Sequence, residues 1–139
     1  MQESTKNSVL IVDDENMNIM ALTHILSRDH IVYAAKTGEN GIIAAEKHLP
    51  DLILLDIIMP EMDGYAVITA LKSSEKTQGI PVIFISGLSE PDEEKKGLSL
   101  GAADYIIKPF NPSAVKVRVD DHINRRRFPH LTGTQKLCS

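Results

Sequence analysis

Four short runs of uninterrupted apolar residues recur along the chain: Val9-Leu10-Ile11-Val12, Leu52-Ile53-Leu54-Leu55, Val82-Ile83-Phe84-Ile85 and Tyr105-Ile106-Ile107. They lack polar alternation and are rich in β-branched side chains, which suits strands buried on both faces, as in a parallel sheet. Ile31-Val32-Tyr33-Ala34-Ala35 is a weaker fifth candidate. Helical periods fill the gaps. Ile19, Leu22 and Leu26 recur at i, i+3 and i+7, with Ile25 widening the stripe. A second helix is expected from Thr37 to His48, and a third from near Gly64 toward Ser74, with Gly79 and Pro81 marking the return. Ser89 stands where it could cap a fourth, with Asp92 and Glu93 in its first turn and Gly101 after Leu100 as its stop. Asn111 and Pro112 open a fifth.

Strict alternation of strands and helices implies parallel strands joined by right-handed crossovers. The expected fold class is α/β, a three-layer, doubly wound, five-stranded sheet. The periodic part ends at Arg127, so one domain over residues 8–127 is expected, followed by a tail or linker over 128–139 that holds Pro129, Gly133 and small polar residues.

Length and composition narrow the function. The chain has 139 residues, which is room for one domain. Its net charge of −4 argues against nonspecific nucleic-acid binding, which requires a basic face. The one basic cluster, Arg125-Arg126-Arg127, reads as a helix end favoured by the macrodipole. Cys138 is the only cysteine, so neither an internal disulfide nor a thiolate metal site is expected, and a reducing cytoplasm fits. The polar stretch from Met1 to Ser8 does not read as an export signal, and no apolar run approaches the roughly 20 residues of a membrane helix.

Reactive side chains cluster at strand ends. Asp13 and Asp14 follow the first strand, Asp56 the third, Ser86 the fourth and Lys108 the fifth. In an open parallel sheet, sites form outside the carboxyl ends of the strands where strand order reverses, so these positions should converge. The second strand ends in Ala34-Ala35-Lys36 without a carboxylate, as an edge strand would, which favours the order 2-1-3-4-5. An Asp-Asp pair after a strand is usually a turn or a helix cap. The combination at four strand ends is what points to chemistry. Like charges about 4 Å apart cost roughly 4 kcal/mol at an effective dielectric of 20, so the three aspartates need a counter-charge. Mg²⁺ with oxygen ligands would supply one and Lys108 another. A carboxylate beside Mg²⁺, an ammonium and a hydroxyl has the parts for phosphoryl transfer, with Asp56 as nucleophile.

Four motifs carry a family resemblance: Val9-Leu10-Ile11-Val12-Asp13-Asp14-Glu15, Asp56-Ile57-Ile58-Met59-Pro60-Glu61-Met62-Asp63-Gly64, Ser86-Gly87 and Lys108-Pro109-Phe110. Together they resemble the CheY-like receiver domains of two-component response regulators, over roughly Ser8 to Arg127. The resemblance implies a flavodoxin-like fold and a phosphorelay switch in which Asp56 takes its phosphoryl group from a histidine kinase or histidine phosphotransfer protein. It implies that Asp14, Asp56 and the Ile58 backbone carbonyl coordinate Mg²⁺, and that Asp13 acts through a metal-bound water. Lys108 would pair with the phosphoryl oxygens, Ser86 would move to bond one of them, Tyr105 would change rotamer, and Lys108-Pro109 would be cis. Such a protein catalyses only its own phosphorylation and dephosphorylation. It signals through the face of the fourth helix, fifth strand and fifth helix to an output domain or protein, and the resemblance allows a phosphorylation-linked homodimer.

Two rivals have specific objections. A phosphohydrolase of the haloacid dehalogenase type also phosphorylates an aspartate, but its Asp-x-Asp motif is missing and no cap domain fits in this length. A non-phosphorylated pseudo-receiver would have lost an acidic or lysine position, and none is lost. No Gly-x-x-x-x-Gly-Lys loop follows the first strand to suggest a nucleotide site.

Overall fold

The computed structural model describes residues 6–88 and 90–127. Strands β1 (Asn7–Val12), β2 (His30–Ala35), β3 (Leu52–Leu55), β4 (Val82–Ser86) and β5 (Asp104–Ile107) alternate with helices α1 (Asn16–Leu26), α2 (Gly38–His48), α3 (Gly64–Lys72), α4 (Pro91–Ser99) and α5 (Pro112–Arg127). All strand pairs are parallel and the order is β2-β1-β3-β4-β5, as the strand-end pattern predicts. Three strands begin one or two residues before the apolar runs, because Asn7 and Ser8 in β1, His30 in β2 and Asp104 in β5 join the ladders, and β4 extends to include Ser86.

The central strands show why their sequences are apolar throughout. Successive side chains of a strand point to opposite faces. Leu10, Val12, Ile53, Leu55, Val82 and Phe84 join one core with Ala45 of α2 and Val67, Ile68 and Leu71 of α3. Val9, Ile11, Leu52, Leu54, Ile83 and Ile85 join the other with Leu22 and Leu26 of α1 and Val115, Val119 and Ile123 of α5. Ile19 and Ile25 pack against this second core, completing the predicted stripe of α1.

Local chemistry sets the helix ends. Thr37 caps α2 by accepting from Asn40 N at 3.0 Å, and Asn111 Oδ1 accepts from Ser113 N and Ala114 N at the start of α5. Gly101 follows α4 with φ +109°, a conformation that glycine adopts without steric cost. The N-cap of α4 is Glu90, whose side chain makes no capping bond, and Ser89 lies outside the described residues, as do residues 128–139. Helix α3 closes at Lys72, two residues short of the expected Ser74.

Helix α5 is fastened on both flanks of its buried stripe. On one side Lys116 pairs with Asp29 at 2.6 Å, and Asp120 with the buried His30 at 2.9 Å. On the other, Arg118 and His122 both bind Asp104, at 2.9 and 3.1 Å. Near its end Arg126 reaches the Pro50 carbonyl at 3.3 Å and Asp51 at 3.7 Å. The arginine cluster does lie in the last turn of α5. Among the described residues no helix is long and apolar enough to cross a membrane.

Candidate functional site

Backbone ladders carried one residue past the strands hold the predicted site residues in place. Asp13 N donates to Ala35 O at 3.1 Å, Asp56 N to Val12 O at 2.9 Å and Lys108 N to Ser86 O at 2.8 Å. The four strand ends therefore meet at one edge of the sheet. One carboxylate oxygen from each of Asp13, Asp14 and Asp56 lies within 4.8 Å of the other two. Lys108 Nζ stands 3.3 Å from Asp13 Oδ2 and 3.6 Å from Asp56 Oδ2.

This cluster is mostly withdrawn from water. Asp13 is 2% exposed, Asp56 6% and Ser86 0%, while Asp14 is half-buried. Burial pushes the Asp56 carboxyl up to about 6, against the pull of Lys108, and Asp13 and then Asp14 add to the rise. Asp13 is steadied by Glu15 N, which donates to its Oδ1 at 2.9 Å. Three carboxylates against one ammonium leave a surplus of negative charge. Hard, closely spaced oxygen donors are what a divalent cation such as Mg²⁺ takes, so the donor set fits that ion.

The remaining predicted residues surround the cluster. Ser86 Oγ accepts from Leu88 N at 3.2 Å. Tyr105 is buried and donates its hydroxyl to Leu88 O at 2.7 Å. Burial raises its phenol, with Ser86 pulling the other way. Ile58 is 61% exposed on the loop after Asp56, and Lys108-Pro109 is cis as expected.

Gly64, the last residue of the motif that begins at Asp56 and the expected start of α3, packs directly against the backbone of the site. Its amide donates to Ile57 O at 2.7 Å, and Asp63 caps α3 through Ala66 N at 2.9 Å. A Cβ at Gly64 would collide with the Asp56 carbonyl oxygen and come within 2.8 Å of Ile57 Cα. A glycine at the first position of a helix is the signal available beforehand, since ordinary residues are better helix formers there. Gly64→Ala is expected to cost roughly 1–3 kcal/mol of stability, the usual range for overpacking, by pushing on the backbone of Asp56 and Ile57. Denaturant unfolding measures the cost, and an unchanged variant would show that the backbone yields freely.

The profile of the response regulator receiver domain matches residues 9–120. A Vibrio cholerae protein named as a probable cyclic di-GMP phosphodiesterase is 39% identical over 135 residues, which is 97% of this chain and 31% of that protein. A Porphyra purpurea protein named as probable transcriptional regulator ycf27 is 34% identical over 124 residues, covering 88% of this chain and 50% of the relative. Among solved structures, the signal receiver domain of a histidine kinase from Syntrophus aciditrophicus aligns with a TM-score of 0.78 and 33% identity, over 85% of this chain and 90% of that one. The chain thus spans a third to a half of the length of these curated relatives.

Proposed function

This chain belongs to the family of response regulator receiver domains, and from that premise we propose that it is a phosphorylation-controlled switch with Asp56 as phospho-acceptor. The observation that carries the reading is the convergence of Asp13, Asp14 and Asp56 beside Lys108. Residues 8–127 form the switching unit, and 128–139 serve as tail or linker.

In this reading an ionised Asp56 oxygen attacks phosphorus while the bond to the donor, the phosphohistidine of a kinase or phosphotransfer protein, breaks. The product is an acyl phosphate. Mg²⁺ would be held by Asp14, Asp56 and the Ile58 carbonyl, with Asp13 acting through water, and it supplies charge neutralisation at the phosphoryl oxygens. Lys108 has the length and position to follow the phosphoryl oxygens. Ser86 gives up its bond from Leu88 N to donate to one of them, and Tyr105 shifts with it. The consequence is read on α4, β5 and α5, where Leu98, Ile107 and Val117 leave apolar surface exposed for an output partner or a second copy.

The direct test is intact mass after incubation with acetyl phosphate, with and without Mg²⁺. One base-labile phosphoryl group is expected, and only with the metal. Its absence in both arms would overturn the reading.

The lifetime of that adduct should depend on Ile58 and Leu88, which border the site. Hydrolysis needs a water aligned opposite the Asp56 oxygen, and apolar neighbours offer it no hydrogen bond. Ile58→Asn with Leu88→Glu is expected to hasten dephosphorylation several-fold, since one orienting hydrogen bond is worth about 1 kcal/mol. Decay is followed after donor removal at fixed Mg²⁺, and equal rates would place control elsewhere.

A further inference from the structure

Helix α4 is unusual among the five in how little holds it. Its sequence, Pro-Asp-Glu-Glu-Lys-Lys-Gly-Leu-Ser, gives it Gly97 as its buried residue. That glycine lets the helix approach the sheet, since a Cβ there would come within 2.8 Å of the Phe84 ring. The other mooring is Tyr65, the second residue of α3. Its hydroxyl donates to Glu93 Oε1 at 2.5 Å and lies 3.5 Å from the Glu93 carbonyl oxygen. Lys96 Nζ sits 4.2 Å from the centroid of the same ring, within cation–π range. Burial and Glu93 both raise the Tyr65 phenol, so it remains a donor throughout the physiological range.

Tyr65 is also linked through packing to the phosphoryl site. Its ring meets Phe84 edge-on at 5.8 Å, and Phe84 meets Tyr105 at 6.1 Å. Tyr105 in turn binds Leu88 O. Leu88 is therefore tied by Tyr105, and Glu93, in the first turn of α4, by Tyr65. Where the departure of Ser86 Oγ from Leu88 N draws the backbone with it, a shift that carries the first turn of α4 strains the bond from Tyr65 to Glu93.

We propose that Tyr65 is a positioning residue of the switch, a latch that holds α4 and the β4–α4 connection in the unphosphorylated arrangement and so sets how readily the site accepts a phosphoryl group. The proposal rests on the phospho-acceptor reading above. It differs from a stabilising role in its sign: weakening the latch should make activation easier.

The test compares wild type, Tyr65→Phe and Glu93→Ala, with Glu93→Gln keeping an acceptor for the phenol. Beryllofluoride with Mg²⁺ serves as the phosphoryl mimic, and α4 amide hydrogen exchange is measured without it. Both latch-breaking variants should exchange α4 amides faster while their thermal unfolding stays cooperative. They should half-saturate with beryllofluoride at concentrations roughly three- to tenfold lower, the effect of losing one hydrogen bond of ordinary net strength from the resting state. Glu93→Gln should fall nearer wild type, and the double variant should gain little over either single one. If wild type binds beryllofluoride and the variants bind it equally or more weakly, the latch is refuted while the switch stands. If wild type does not bind it, the phospho-acceptor reading fails and the latch's role in switching fails with it.

Discussion

Asp56→Asn is expected to move two measurements in opposite directions: the phosphoryl adduct disappears and the fold becomes more stable. The first follows from loss of the nucleophile, and an adduct that persists in the variant would defeat the assignment. The second follows from burial. The Asp56 carboxyl is held near 6 instead of the ordinary 3.8, with desolvation as the main cause and Lys108 only partly opposing it. Between those two values the folded protein binds more protons than the unfolded chain, so stability falls as pH rises through that window and stays reduced above it. The cost at neutral pH is roughly 2–3 kcal/mol. Asparagine keeps the shape and carries no charge. Denaturant unfolding of metal-free protein at about pH 4 and about pH 8 should show a gain for the variant only at the higher value. A variant no more stable there would mean that Lys108 and the neighbouring donors already offset the burial.

Lys108→Ala is the second large effect. The Lys108 ammonium touches Asp13 and Asp56 at once, so its removal leaves two buried carboxylates facing each other. Without metal the variant should lose roughly 1–3 kcal/mol, less than for a fully buried pair because Lys108 is partly exposed. It should still accept phosphate from a small donor when Mg²⁺ is present, but pass little of the change to α4 and β5. Amide chemical shifts before and after phosphorylation read this directly. Wild-type-like shifts would refute a role for Lys108 in sensing the phosphoryl charge.

The parts of the molecule legible in its sequence are those governed by short-range patterns. Unbroken apolar runs marked every central strand, and the missing carboxylate after Ala35 placed β2 at the edge. Asp13, Asp14, Asp56, Ser86 and Lys108 were legible as a group because strand ends in a parallel sheet must face one way. Long-range side-chain pairs were not. Nothing near His30 announces Asp120, 90 residues later. Nothing near Tyr65 announces Glu93, because a tyrosine and a glutamate on separate helices have many other solvated arrangements. The closeness of Gly64 to Asp56 depends on a loop path that no period encodes. Helix ends shifted for a local reason: at α4 a proline in the first turn defines the start without a side-chain cap.

The ion pairs along α5 have a consequence for how a signal leaves this domain. Each exposed pair alone is worth little. Here they flank a stripe of three fully buried residues, and they grip the helix from both sides, so rolling or sliding it would break several contacts together. Beside it, α4 rests on one glycine and one tyrosine. If α4 moves as proposed, the face they share with β5 joins a fixed rail to a movable one. A partner lying across both would register a change in the width of the gap between them, a displacement that neither helix has to unwind to produce.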